Sequence, residues 1–409
     1  MKRRNIQLLT LIILMAFPSF LFSQPPSLLE WNQFRGLNRN GINNYQIKQD
    51  TLFEGSYKML WKKDIGSAFS EIVIADENIY TMFSEKVDSL KGFEYVAAYN
   101  SNTGNELWRS KVDSIFIDVD GWGDAPRSTP AVDGKNLYCL SGQGELTALD
   151  KITGKIIWKR DFVKEFGSTR PRWGYSTSPM LIDDMVLIEA GGIDSNTFIA
   201  FDKNSGEIKW AKGSGVAQYN SPTITEIDGT KQIIFANGPK IYSFNLSGDT
   251  LWSYNSPISS PTGMPVVIDN NKIFVSAIRN IGFVIIEIQN NIPKEIARGT
   301  DLKTDYSSCV YYNGYIFGFH VAALQCISAE TGKKMWTKRG FGKGSLILVG
   351  DKLLVLSDKG KIIQVEATGE KYTEQGSFQA IEGKSWTAPS FANGRLYVRN
   401  LTEMACFVL

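Results

Sequence analysis

The sequence is poor in the residues that most often carry chemistry. Among 409 residues there are one histidine, His320, and four cysteines. That excludes a zinc-finger array, a disulfide-stapled miniature and any site built on several imidazoles. Cys139, Cys309, Cys326 and Cys406 form no C-x-x-C pair and sit among apolar neighbours. Buried free thiols are therefore expected, with a Cys309–Cys326 bridge as the alternative that spacing leaves open. Charge of one sign is also lacking: 44 basic and 42 acidic residues, well mixed, leave a formal +2, so a nucleic-acid partner is not expected. No stretch past the N-terminus repeats its apolar residues every 3.6 positions over a long run, which removes helical solenoids. No nucleophile elbow supports a serine triad on His320. The run Gly340 to Ser345 lacks both the spacing and the hydroxyl directly after Lys343 that a phosphate loop needs.

What is present begins with a targeting signal. Lys2, Arg3 and Arg4 precede an apolar run from Leu8 to Phe17, and Pro18 to Ser23 lead into polar Gln24-Pro25-Pro26. This is the layout of a secretory signal peptide over residues 1–23, and the run is short of the roughly 20 residues that span a bilayer. The expected product is periplasmic or secreted, with no transmembrane segment after signal removal. No cysteine near the cut offers a lipid anchor. Residues 24–56 are expected to pack as an N-terminal segment on a single domain over 57–409.

That domain is internally repeated. An apolar strand, an Asp or Asn, a turn ending in Thr/Ser-Gly and a strand with Trp recur as Asp150, Thr153-Gly154, Trp158 and as Asp202, Ser205-Gly206, Trp210. Weaker copies carry Asn100 with Trp108, Asn245 with Trp252, and Glu330 with Trp336. The composition is that of a tight hairpin, with the Asp or Asn capping the turn and Gly taking a positive φ. Trp108, Trp158, Trp210 and Trp252 stand 50, 52 and 42 residues apart, the period of propeller blades. With degenerate copies at Ile288 to Arg298 and Val365 to Glu374, the chain divides into eight units of roughly 44 residues. The predicted fold is all-β: an eight-bladed β-propeller of four-stranded antiparallel blades. The last blade supplies three strands, and Tyr57 to Lys62, with Trp61, is expected to close it.

The repeats resemble the PQQ-like β-propeller repeats shared by bacterial quinoprotein dehydrogenases and BamB-type propellers. More narrowly, Trp31-Asn32-Gln33-Phe34-Arg35-Gly36 with Asn38-Arg39-Asn40-Gly41, the stretch Trp122 to Pro130, and Trp173-Gly174-Tyr175-Ser176 are similar to exported bacterial members of that group. The resemblance implies one of two functions: a non-catalytic binding or scaffold protein of the BamB kind, or a quinoprotein-like oxidoreductase holding PQQ and Ca²⁺ at the channel mouth. Features of the second are missing. There is no adjacent cysteine pair, and no matching motif places the calcium-binding Glu and Asn or a catalytic Asp. The non-catalytic reading is preferred, with no cofactor assigned.

In a blade, the loops feeding the inner strand share one face with those joining the second and third strands, and the Asp/Gly hairpins occupy the other. Two feeding loops are long, Arg109 to Pro126 and Lys159 to Gly174, and long loops on a rigid ring are where sites are built. Trp122, Arg127, Arg170, Arg172, Trp173, Tyr175, Asn220, Tyr306, Lys343 and Trp386 are the candidate binding residues. Their mixture of cations and flat rings suits a small anionic or sugar-like ligand, against the alternative that they pack the loops and pair with Asp118, Asp120 and Asp124. Those three carboxylates are the weak metal candidates, without the bidentate Glu of an EF-hand. A protein partner is the other expectation.

Overall fold

Eight antiparallel sheets follow one another in sequence order in the computed structural model, which describes residues 31–47, 57–259, 262–278 and 282–409. The expected signal peptide lies outside the described residues. Blades 1 to 7 run from the axis outward in chain order, with inner strands Val73–Ala75, Ala131–Val132, Met180–Ile182, Thr223–Ile227, Val266–Ile268, Val310–Tyr312 and Ser345–Val349. Blade 8 holds Ser390–Ala392, Arg395–Arg399 and Glu403–Val408, and its outer strand is Lys58–Asp64 from the start of the domain. Closure thus pairs the two ends of the domain, as the sequence leads one to expect, and covers the edge that blade 8 would otherwise expose. Among the described residues the one helical element is a short turn, Phe162–Phe166, capped by Asp161.

The repeat motif has a precise mechanical meaning at the rim. Asp150 Oδ1 accepts from the amides of Ile152 and Thr153 at 3.1 and 2.8 Å, and Asp202 Oδ1 from Asn204 and Ser205 at 3.0 and 2.9 Å. This frees the turn to present a carbonyl to the preceding blade. Trp158 Nε1 donates to Lys203 O at 3.2 Å, Trp108 Nε1 to Lys151 O at 3.1 Å, Trp210 Nε1 to Leu246 O at 3.0 Å and Trp61 Nε1 to Ser101 O at 2.9 Å. The turn glycine serves two purposes. Gly206 has φ +71°, and a Cβ there would meet the Trp158 ring at 2.6 Å, so the indole lies flat where only glycine leaves room.

The seam changes after blade 4. Trp252 Nε1 donates to Gln232 Oε1 of its own blade at 2.8 Å, because blade 5 turns on Asn290-Asn291 with no glycine to lie against. Blade 5 in turn has no outer tryptophan, and Phe283 fills the space under Gly332 of blade 6.

A second seam lies near the axis. Glu71 N donates to Thr129 Oγ1 at 2.9 Å, Thr129 N to Ser178 Oγ at 3.0 Å and Ser178 N to Ser221 Oγ at 2.9 Å. At the junction of blades 8 and 1, buried Arg399 donates to Thr81 Oγ1 and Met82 O at 2.8 Å and to Gly66 O at 3.0 Å. The four cysteines are buried and free. Burial pushes the Cys309, Cys326 and Cys406 thiols up to about 12, so they are inert packing groups.

The channel is filled by the chain itself. Residues 31–47 precede the first blade and run inside the ring. Trp31 O accepts from Ile74 N at 2.8 Å, Asn32 exchanges two bonds of 2.8 and 2.9 Å with Val132, and Ile42–Asn43 pairs in parallel with Leu348 and Val349. Both ends of the segment lie on the side of the inner-strand turns, with Tyr45 beside Gly350 and Gly394. Arg35 and Arg39, both buried, reach toward the starts of the inner strands.

Candidate functional site

The face opposite those turns carries the long loops, and buried carboxylates fasten them from beneath. Glu94 Oε1 accepts from Phe116 N at 3.0 Å and its Oε2 from Gly142 N at 2.9 Å. Glu189 Oε1 accepts from Gln218 N at 3.0 Å and from Asn237 Nδ2. Burial dominates at both and pushes Glu94 up to about 7 and Glu189 up to about 8.

Loop 115–126 folds on its own acids. Asp118 Oδ2 caps Trp122 N at 2.6 Å, Asp124 Oδ1 accepts from Asp118 N at 2.6 Å, and Asp124 Oδ2 pairs with Lys86. Arg127 lies between the Phe69 and Phe116 rings, at 5.3 and 5.2 Å, and donates to Ala125 O and Gly123 O at 3.1 Å. Its guanidinium stands 3.5 Å from Asp118, with 13% of the side chain exposed. Asp120 takes a bidentate bond from Arg172, at 2.7 and 2.6 Å, and another from Trp173 Nε1 at 2.6 Å. These contacts hold its carboxyl down at about 2.

The structure gathers four of the candidate residues into one cluster. Loop 115–126 places Trp122 over the channel mouth, 5.8 Å from Trp386 of blade 8 and 6.3 Å from Tyr306 ahead of blade 6. Trp386 and Tyr306 stack at 5.2 Å. The Lys343 ammonium sits 4.6 Å from the Tyr306 ring and 5.4 Å from that of Trp122, paired with Asp305 at 2.7 Å. Lys384 Nζ donates to Trp122 O at 2.9 Å, so four separate loops close the mouth together. Arg172 and Trp173 form a second group with Asp120, and Trp173 contacts Tyr219 at 5.1 Å.

The remaining candidates lie elsewhere. Tyr175 is fully buried, its hydroxyl 2.6 Å from Ser168 Oγ, and Asn220 is buried with Nδ2 on Ala236 O. Arg170 bonds Gln143 and lies 5.9 Å from the Phe116 ring. His320 Nδ1 accepts Lys303 N at 3.3 Å, which leaves it no serine partner at that atom.

The residues at the mouth do not fit a resident quinone with its metal. The cations that would meet a polyanion are already matched to Asp118, Asp120 and Asp305. Asp118, Asp120 and Asp124 point to three different partners, and no group of three or more His, Cys, Asp or Glu converges among the described residues. Two surface clefts, of about 440 and 420 Å³, lie by Phe93 and Phe116 and by Ile65 and Tyr99, not under the aromatic cluster.

Sequence reasoning missed the buried arginines. Arg39 donates to Pro222 O at 2.9 Å, Pro179 O at 2.8 Å, Ser178 O at 3.2 Å and Gln33 Oε1 at 3.3 Å. Arg35 donates to Leu346 O at 3.2 Å and Cys309 O at 3.0 Å, and its amide to Glu71 Oε2 at 2.9 Å. Burial lowers both guanidinium pKa values and pushes Glu71 up to about 7, while the neighbouring Arg35 and Arg39 pull Glu71 the other way. A readable signal was there: Arg35-Gly36 and Arg39, with Gly41, ahead of the first repeat. Gly41 at φ +74° lies where a Cβ would meet the Arg35 guanidinium carbon at 2.5 Å.

Fold and face together define an eight-bladed PQQ-like propeller whose loop face is braced by internal pairs. The family described as outer membrane protein assembly factor BamB matches residues 92–305 and 321–406, and the chain belongs to that family. BamB of Moranella endobia (strain PCIT) is 24% identical over 287 residues, covering 64% of this chain and 71% of that one. The quinohemoprotein alcohol dehydrogenase ADH IIB of Pseudomonas putida is 28% identical over 167 residues. These cover 38% of this chain, and the match spans only 22% of the dehydrogenase. The crystal structure of BamB from Moraxella catarrhalis superposes with a TM-score of 0.62 at 15% identity, covering 86% of this chain and 98% of that one. At that identity the likeness speaks to fold alone.

Proposed function

We propose that the protein is an exported, periplasmic propeller that works without catalysis, holding a protein partner on its loop face. The observation that carries this is a contrast on that face. Its cations Arg127, Arg172 and Lys343 are paired with internal acids, while aliphatic side chains at loop tips of blades 1 to 4 stand in solvent: Val87, Leu90 and Val119 at 72%, 74% and 76% exposure, with Ile193 and Val216 also exposed. Exposed aliphatics gathered on one sector suit contact with a protein surface better than recognition of a small anion. Membership in the BamB family supports the same reading. Among the described residues no helix is long and apolar enough to cross a membrane.

The test is photo-crosslinking in the cell envelope from a reactive side chain placed at Val119 or Ile193, with Ile152 on the hairpin face as control. A defined adduct from the loop face, lost in a Leu90→Asp variant and absent from the Ile152 position, is the expected result. Equal adducts from both faces would contradict the proposal. So would dye reduction by the purified protein that depends on added PQQ and Ca²⁺, which would restore the oxidoreductase reading.

A further inference from the structure

The geometry points to the propeller channel as a peptide-binding site that reads arginine, with residues 31–43 as its built-in and separable occupant. Hydrogen bonds from this segment reach inner strands, or the residues that begin or follow them, in blades 1, 2, 3, 4, 6, 7 and 8, through Ile74, Val132, Pro179, Pro222, Cys309, Leu346 and Phe391. Most of the deep contacts are guanidinium to carbonyl. The five carbonyls of Ser178, Pro179, Pro222, Cys309 and Leu346 form an acceptor-lined axis that two arginines four residues apart satisfy.

Three observations make the segment a ligand and not a structural strand. Each blade has its four strands without it, because the ring is closed by Lys58–Asp64 on Glu403–Val408. Its regular pairing is limited to Ile42–Asn43, added as a fifth strand beside Ser345–Val349. Arg35 and Arg39 are held at φ +62° and +55°, a backbone cost tolerated only where side-chain contacts over-determine it. Leaving the channel would relieve that cost and uncover the carbonyls. A peptide with Arg-x-x-x-Arg spacing that can turn as Gln33 to Gly41 do, where Gly36 N, Arg39 N and Gly41 N bond back to Gln33 O, Gly36 O and Arg35 O, is the class of ligand that would take its place.

The experiment uses the whole chain with a specific protease site set between residues 47 and 57. After cutting, the N-terminal fragment is expected to co-elute with the ring. An excess of synthetic peptide spanning residues 31–47 should chase it out, and the cut ring should stay folded by circular dichroism. The same chase with a peptide carrying Arg39→Ala should be at least tenfold less effective. A fragment that cannot be chased while the ring is folded overturns the inference, as does a cut ring that unfolds, since the segment would then be integral to the fold. Equal competition by the two peptides would overturn the arginine reading.

Discussion

The rim and the axis of this ring join the same blades by opposite means. At the rim one contact repeats from blade 8 through blades 1, 2 and 3: an indole N–H, a turn carbonyl and a glycine that leaves space, as in Trp158, Lys203 and Gly206. At the axis a single copy, residues 31–43, is shared among the blades, and its force is buried charge hydrogen-bonded to backbone, as in Arg39 with Pro179 and Pro222. Losing one rim contact weakens one seam. Losing an axial arginine strands acceptors on two blades at once, since a buried carbonyl without a partner carries its full desolvation cost. The difference teaches that a repeat protein closed by its own blades can be regular in its stability at the edge and still be tightened at its centre by one unique, bound element.

The comparison is broken most severely by Arg39→Ala, which removes a buried cation and leaves the carbonyls of Ser178, Pro179 and Pro222 unmatched. A loss of about 3–5 kcal/mol is expected in denaturant melts. Gly206→Ala should cost about 2–3 kcal/mol, because it adds a methyl group against Trp158 at a positive φ. A sharper version exchanges Trp for Phe at Trp158 and at Trp252. Each loses about 1 kcal/mol for its N–H bond. Only the Trp158 change should loosen the contact between neighbouring blades, seen as faster amide exchange in the turn around Lys203, because Trp252 bonds its own blade.

Acidity gives a smaller, graded effect. Glu71, Glu94 and Glu189 are raised by burial to about 7, 7 and 8. Their contribution to stability is therefore fully present below the ordinary carboxylate range and is lost as pH rises through 7 to 8. The melting temperature should climb as pH is lowered from 8.5 to 6. Glu189→Gln keeps an acceptor for Gln218 and should flatten that climb. The smallest effect is expected at Arg172→Ala, where an exposed pair with Asp120 is broken for at most about 1 kcal/mol.

The rim was legible in the sequence because its period is. Asp150, Gly154 and Trp158 recur at fixed offsets, so the eight blades and their closure by the strand carrying Trp61 could be read without coordinates. The axis showed only as one unrepeated motif, Arg35-Gly36 with Arg39 and Gly41, and its role was hidden because its partners are backbone carbonyls, which leave no mark on residue type. The loop face was partly legible. That Trp122, Tyr306, Lys343 and Trp386 share a face follows from blade topology, but which of them touch depends on how loop 115–126 folds around Asp118 and Asp124. Tyr175 shows the limit: Gly174 at φ +75° turns the chain, and the missing Cβ of Gly144 leaves a slot, within 2.4 Å of the ring, that takes it into the core.

Hydrogen exchange on the Arg39→Ala chain, resolved by peptide, tests the axial role most directly. If residues 31–43 act as one clasp, exchange should accelerate at inner strands that Arg39 never touches, above all Val73–Ala75 and Ser345–Val349, while the rim turn at Lys203 keeps its protection. Acceleration confined to the neighbourhood of Ser178 to Pro179 and Pro222, with those distant strands unchanged, would contradict the account and reduce Arg39 to a local brace.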